Sequence, residues 1–239
     1  MIPRTSETIL WLGLLGFGSW SGSEKFEKAG SASSTLSEQA SGPRLCLAGE
    51  TAGKHVAIWF DFEYAQLEPW FGTATEVGGS WLFVRSEWGW LGAGPELSLH
   101  YESSLHNAKP MGDFYRYGDF TFLAGIAAEG SYWPADDLRF GLRLGAAPIP
   151  LVGYRKYGGG ILPPSANAAP QLSYDLSGLF EASGELQAEY EVGEAVQCGL
   201  SVRGDLVTYQ QTAPYQTGLW TSHVFQSSVA VRLLVGKRF

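Results

Sequence analysis

From His55 onward the chain alternates apolar and polar residues with a period of two. In 56–64, "VAIWFDFEY", Val56, Ile58, Phe60, Phe62 and Tyr64 share one side, and Asp61 and Glu63 the other. In 81–91, Leu82, Val84, Trp88 and Trp90 oppose Arg85 and Glu87; in 96–101, Leu97, Leu99 and Tyr101 oppose Glu96, Ser98 and His100. Residues 119–133 set Phe120, Phe122, Ile126 and Tyr132 against Asp119, Thr121, Glu129 and Ser131, and 138–147 set Phe140, Leu142 and Leu144 against Arg139 and Arg143. In 171–190, Tyr174, Leu176, Phe180, Leu186 and Tyr190 oppose Asp175, Glu181 and Glu185; in 196–209, Cys198, Leu200 and Val202 oppose Ser201, Arg203 and Asp205. The last run, "SHVFQSSVAVRLLVGKRF", separates Phe225, Val229, Val231, Leu233, Val235 and Phe239 from Gln226, Ala230 and Arg232. A strand sends successive side chains to opposite faces, so each run has one greasy face and one polar or small face. Eight such runs predict an all-β, eight-stranded antiparallel up-and-down barrel over residues 53–239.

The connections predicted from these runs alternate in length. Those at 65–80, 102–118, 148–170 and 210–221 read as long loops, and "GAGP", "PADD" and "EVGE" as short turns. Short turns on one rim and long loops on the other are the habit of transmembrane barrels, with the short rim periplasmic and the long one extracellular.

Period two fixes two faces without saying which is wet, and a soluble barrel with an apolar interior has the same period. Three features favour an apolar outside. The run at 171–190 exceeds the ~9–11 residues that cross a bilayer as a tilted strand. Aromatic residues of the greasy set gather in two belts, Trp88, Trp90, Tyr132, Tyr190 and Phe239 at the short-turn rim and Tyr64, Tyr101 and Tyr174 at the other, as headgroup interfaces require. The cations of the polar set are arginines, whose planar fork binds carboxylates at two points in a confined space. The expectation is a lumen closed by one charge network of Asp61, Glu63, Arg85, Glu87, Glu129, Arg139, Arg143, Glu181, Glu185, Arg203, Asp205 and Arg232.

Composition narrows the classes further. A net charge of −8 without a basic stripe argues against a nucleic-acid surface. Two cysteines, Cys46 and Cys198, are too few for a disulfide framework. Residues 1–21 read as a signal peptide, with Arg4 before an apolar core from Ile9 to Phe17 and small residues after it. Residues 22–52, rich in Ser, Ala, Gly and Glu with no sustained period, read as a flexible periplasmic leader.

The export-like start, eight alternating strands, sorted loops and terminal Phe239 resemble the small eight-stranded bacterial outer-membrane proteins: OmpX, OmpW, the OmpA transmembrane domain and the opacity adhesins. The resemblance covers residues 55–239 as architecture. It implies an outer-membrane location, the lipid bilayer as main partner, and reading of Val231, Leu233, Val235 and Phe239 by the barrel-assembly machinery. Lys237 departs from the hydrophobic residue usual two places before the end.

No chemistry stands out. Glu96, Ser98 and His100 form a same-face trio, but nucleophilic catalysis needs a serine, a histidine and a carboxylate in relay. No two histidines have metal-ligand spacing, and no cofactor is expected. The long loops are the expected carriers of function. Trp70, Phe71, Tyr215 and Trp220 either contact host molecules or fold onto the upper membrane interface, and "GYRKYGGG" sets Tyr154, Arg155, Lys156 and Tyr157 beside anionic headgroups. The functional expectation is a charge-plugged, non-enzymatic barrel serving envelope structure or surface contact; the alternative is a narrow OmpW-like channel for small hydrophobic solutes.

Overall fold

A lone sheet whose outer face is apolar and whose backbone must pair everywhere has one stable form in lipid, a closed ring. A computed structural model of the chain shows that ring; it describes residues 7–28, 33–67, 70–108, 113–158, 173–193, 196–215 and 218–238. The strands are β1 (Glu7–Lys28), β2 (Ser34–Ala52), β3 (Val56–Leu67), β4 (Trp70–Ser86), β5 (Gly89–Ala108), β6 (Asp113–Ala135), β7 (Leu138–Gly158), β8 (Ser173–Glu191), β9 (Val196–Tyr215) and β10 (Gly218–Arg238). Each pairs antiparallel with its neighbours in sequence, and β1 closes on β10.

The barrel therefore has ten strands and not eight. Residues 53–239 do supply eight of them; the other two come from the stretch read as export signal and flexible leader. β1 pairs with β10 from Ile9↔Arg238 to Lys28↔Trp220 and with β2 from Glu7↔Ala52 to Phe26↔Ser34. Both strands hide their period. A register shift at Gly13–Gly16 breaks the alternation of β1, and the upper outward face of β2 is Ser37, Gln39 and Ser41 before it turns apolar at Leu45 and Leu47.

The same reason corrects the loops. At about 3.3 Å per residue and a tilt near 40°, strands of about 20 residues rise about 50 Å, twice the ~25 Å apolar band of a transmembrane barrel. Outward apolar side chains occupy the half nearest the turns at 53–55, 87–88 and 136–137, for example Phe225 to Val235 on β10. Above Phe17, β1 presents Ser19, Ser21, Ser23, Lys25 and Glu27 outward. Strand halves standing clear of hydrocarbon feel no pressure to alternate, so most of 65–80, 102–118 and 210–221 reads as loop in sequence and is strand in the fold. "GAGP" is likewise no turn: Gly92–Pro95 lies inside β5, and the hairpin turn is Glu87–Trp88.

Two further bulges reverse faces. At the shift between Leu82 and Val84, Trp81, Phe83 and Val84 face outward while Leu82 is buried in the bore. At the shift between Ser177 and Phe180, Gly178 takes φ +60°, a conformation natural to glycine, and both Leu176 and Leu179 turn inward.

Of the expected girdle, Trp88, Tyr132 and Tyr190 are exposed at the short-turn rim, and Tyr101 faces outward at the other belt. There Tyr64, Phe71 and Tyr101 meet edge to face across β3, β4 and β5, with centroids 5.7 and 5.8 Å apart. Trp90 is a correction: it is buried inside with Ala52, Ala57 and Leu82, because the two-residue turn before it shifts the parity. Phe71 and Tyr154 lie in strands, not loops, and Tyr154 stacks on Phe120 at 5.3 Å. The side chains of Trp70, Tyr157, Tyr174, Tyr215 and Trp220, and all of Phe239, lie outside the described residues.

Candidate functional site

The inward rows of the strands stack into charged layers along the bore. Nearest the short turns, Arg139 on β7 reaches Glu50 on β2 at 2.5 Å, donates to Ser131 Oγ, and lies 3.3 Å from Glu189. β7 and β2 are five strands apart in a ring of ten, so this contact spans the bore.

In the middle layer, Arg203 on β9 pairs with Glu76 on β4, again diametrically across, and with Asp205 at 2.7 Å and Asp61 at 3.8 Å. Arg232 meets Asp61 at 2.7 Å, Glu63 at 3.1 Å and Glu185 at 3.8 Å, and Arg44 holds Glu63. Arg143 lies between Glu129 and Glu185, at 3.7 and 3.6 Å, with its guanidinium 3.9 Å from the Trp59 ring centroid. A flat cation over an indole closes the remaining width with dispersion as well as charge.

Toward the opposite end, Arg155 on β7 forks onto Asp119 at 2.7 and 2.8 Å, reaches Glu24 on β1 at 2.8 Å, and donates to Tyr209 Oη. Arg155 is fully buried, which corrects its expected place beside headgroups: the strand continues upward, and alternation turns it inward. Just below, Leu123, Ala147, Leu176, Leu179, Tyr209 and Val224 fill the bore with apolar side chains.

Of the expected network, Asp61, Glu63, Glu129, Arg139, Arg143, Glu181, Glu185, Arg203, Asp205 and Arg232 meet inside the barrel. Arg85 and Glu87 do not; both are exposed at the rim, where Arg85 donates to the Gly53 carbonyl. The missed members are Glu24, Arg44, Glu50, Glu76, Glu96, Asp119, Arg155 and Glu189. Glu76 carries a readable signal, since Ala74–Glu76–Gly78 is a small–charged–small row on one face.

The Glu96–Ser98–His100 trio sits on the inward row of β5, with Glu181 of β8 reaching it from the facing wall. Ser98 Oγ lies 2.6 Å from His100 Nε2 and donates to Glu181, whose Oε1 lies 2.8 Å from the same nitrogen. A serine–histidine–carboxylate relay uses both ring nitrogens. Here serine and carboxylate share one, and Ser98 has no exposed surface.

No protein-family model matches the chain, and no curated protein resembles it in sequence. Solved structures do resemble it in fold. The outer membrane protease OmpT from Escherichia coli superposes with a TM-score of 0.67 at 10% identity, covering 100% of this chain and 98% of that one. OprG from Pseudomonas aeruginosa reaches 0.49 at 12% identity, covering 98% and 96%. At such identities the likeness to OmpT speaks for fold alone. The apolar outer band and the ion-filled bore agree with it: the chain is a closed β-barrel of the bacterial outer-membrane type.

Proposed function

We propose that the protein is an integral barrel of the bacterial outer membrane whose bore is plugged, and that it serves to hold a rigid upper barrel at the cell surface for envelope structure or surface contact, without catalysis. The observation that carries the plug is the pair of diametral bridges, Arg139–Glu50 and Arg203–Glu76, backed by Arg143 on Trp59. An arginine and a glutamate that meet from opposite walls leave no continuous water path between them. In this reading the barrel-assembly machinery recognises the β10 end, where Val231, Leu233 and Val235 face outward.

The test is conductance of the refolded chain in a planar bilayer. The wild type should be electrically silent, and Arg139→Ala combined with Arg203→Ala should open discrete steps. Discrete openings in the wild type would overturn the plug. They would favour the narrow channel for hydrophobic solutes, to which the apolar side chains around Leu123 and Leu179 would supply a lining.

A further inference from the structure

Beside the ion pairs of the middle layer lies a knot of buried acid, Glu76, Glu96 and Glu181, in which Glu96 is unpaired among the described residues. Glu76 on β4 stands opposite Ser98 in the ladder, with its neighbours Ala74 and Gly78 opposite His100 and Glu96. Glu181 approaches from β8. One donor atom each from Glu76, His100 and Glu181 lies within 4.8 Å of the other two.

Two observations point to a missing cation. Glu96 is 2% exposed and makes no ion pair or hydrogen bond among the described residues; its Oε2 is wholly buried, and its charged neighbours are Glu76 and Glu181 on one side of the balance and the more weakly felt Arg203 and Arg143 on the other. A carboxylate buried without a partner either takes up a proton or is met by a cation. Glu76, 1% exposed, has its Oε2 equally without a hydrogen bond, because Arg203 occupies the other oxygen. Arg203 already serves Asp205 and Asp61. Gly145 keeps the room open: a Cβ there would come within 2.7 and 2.9 Å of the two Glu96 carboxylate oxygens.

We propose that Glu76, His100 and Glu181, with Glu96 as fourth donor, bind a divalent transition-metal cation of the zinc type. One imidazole with carboxylates suits such an ion, whereas calcium and magnesium take all-oxygen shells of six or more. Tetrahedral donors about 2.1 Å from zinc are about 3.4 Å apart, so Glu76, His100 and Glu181, already within 4.8 Å, close around it by side-chain rotation, and Glu96 would swing in from the same inward row of β5. His100 also lines a small cleft, about 40 Å³, whose walls carry Glu63, Glu102 and Asp205. Because the donors come from β4, β5 and β8, the ion would cross-link facing walls. The site stands whether or not the bore conducts.

The test is calorimetric titration of Zn2+ into the full chain, refolded in detergent and stripped with chelator. One ion per barrel is expected, with at least tenfold weaker binding in Glu96→Gln and in His100→Gln and none of that loss in Lys25→Ala. Co2+ in place of Zn2+ should give the intense visible bands of four-coordination. Glu96→Gln is isosteric and removes a buried charge, so in chelator it should unfold at the same or higher denaturant as wild type; added Zn2+ should raise the wild-type midpoint and leave that of Glu96→Gln unmoved. Absence of saturable binding, or binding that survives both substitutions (an adventitious ion only), would overturn the site.

Discussion

Arg203→Ala is the substitution that most directly probes the charged bore. The Arg203 side chain is 4% exposed and is the shared partner of Glu76, Asp205 and Asp61, so its removal strands three carboxylates, of which Glu76 and Asp61 are almost wholly buried. Breaking one partner from a buried pair costs about 3–5 kcal/mol, against about 0–1 kcal/mol for a solvated pair. With a urea slope of about 2–3 kcal/mol/M, that corresponds to a midpoint lowered by about 1–2.5 M. Unfolding by urea in lipid vesicles, followed by tryptophan fluorescence and by loss of the compact gel band, reads it directly. The double variant Arg203→Met with Glu76→Gln should recover part of the loss, because it removes one of the stranded charges along with the cation. The measurement belongs in chelator, so that no cation substitutes for the arginine. A loss under about 1 kcal/mol would mean that water already reaches these carboxylates, and the reasoning for a dry, closed bore would fail.

The ring size is tested by deletion. A chain lacking residues 1–52 loses β1 and β2, leaves β10 and β3 without partners, and should give no heat-modifiable band in detergent, whereas the full chain should; equal folding of both would refute the ten-stranded closure. Gly178→Val should cost about 1–2 kcal/mol by forcing a branched residue to positive φ, seen as a lower urea midpoint, and an unchanged midpoint would remove the reason given for the β8 bulge. Among variants retaining a single tryptophan, brominated lipid should quench Trp81, which is 67% exposed on the outer wall, and spare Trp59, which is 1% exposed in the bore. The reverse pattern would mean that the wall is inside out.

Much of this was legible locally. Asp61, Glu63 and Arg232 lie on polar rows whose neighbours two residues away identify the face, and those rows do turn inward. Trp90 escapes a sequence reading because the two-residue turn before it shifts the parity, and Arg85 because its row ends at the exposed rim. Arg155 sat among glycines and tyrosines that look like surface in sequence, and Arg44 in a stretch without a period. Arg155 lies in a strand half where water bathes the outer wall and alternation carries no apolar signal, and Arg44 lies where the outer face of β2 has only just turned apolar at Leu45.

The sequence by itself determined an antiparallel sheet with one apolar and one polar face, because the period of two is a property of each strand alone, and its aromatic belts and arginine-rich polar rows pointed the apolar face at hydrocarbon. Only the tertiary structure decided that ten strands share the ring, that β1 rather than β3 closes on β10, and that Arg232 finds Asp61 across 171 residues. Those facts depend on how many strands share the circumference and on which inward rows then face each other, and neither is written in the alternation of any one segment.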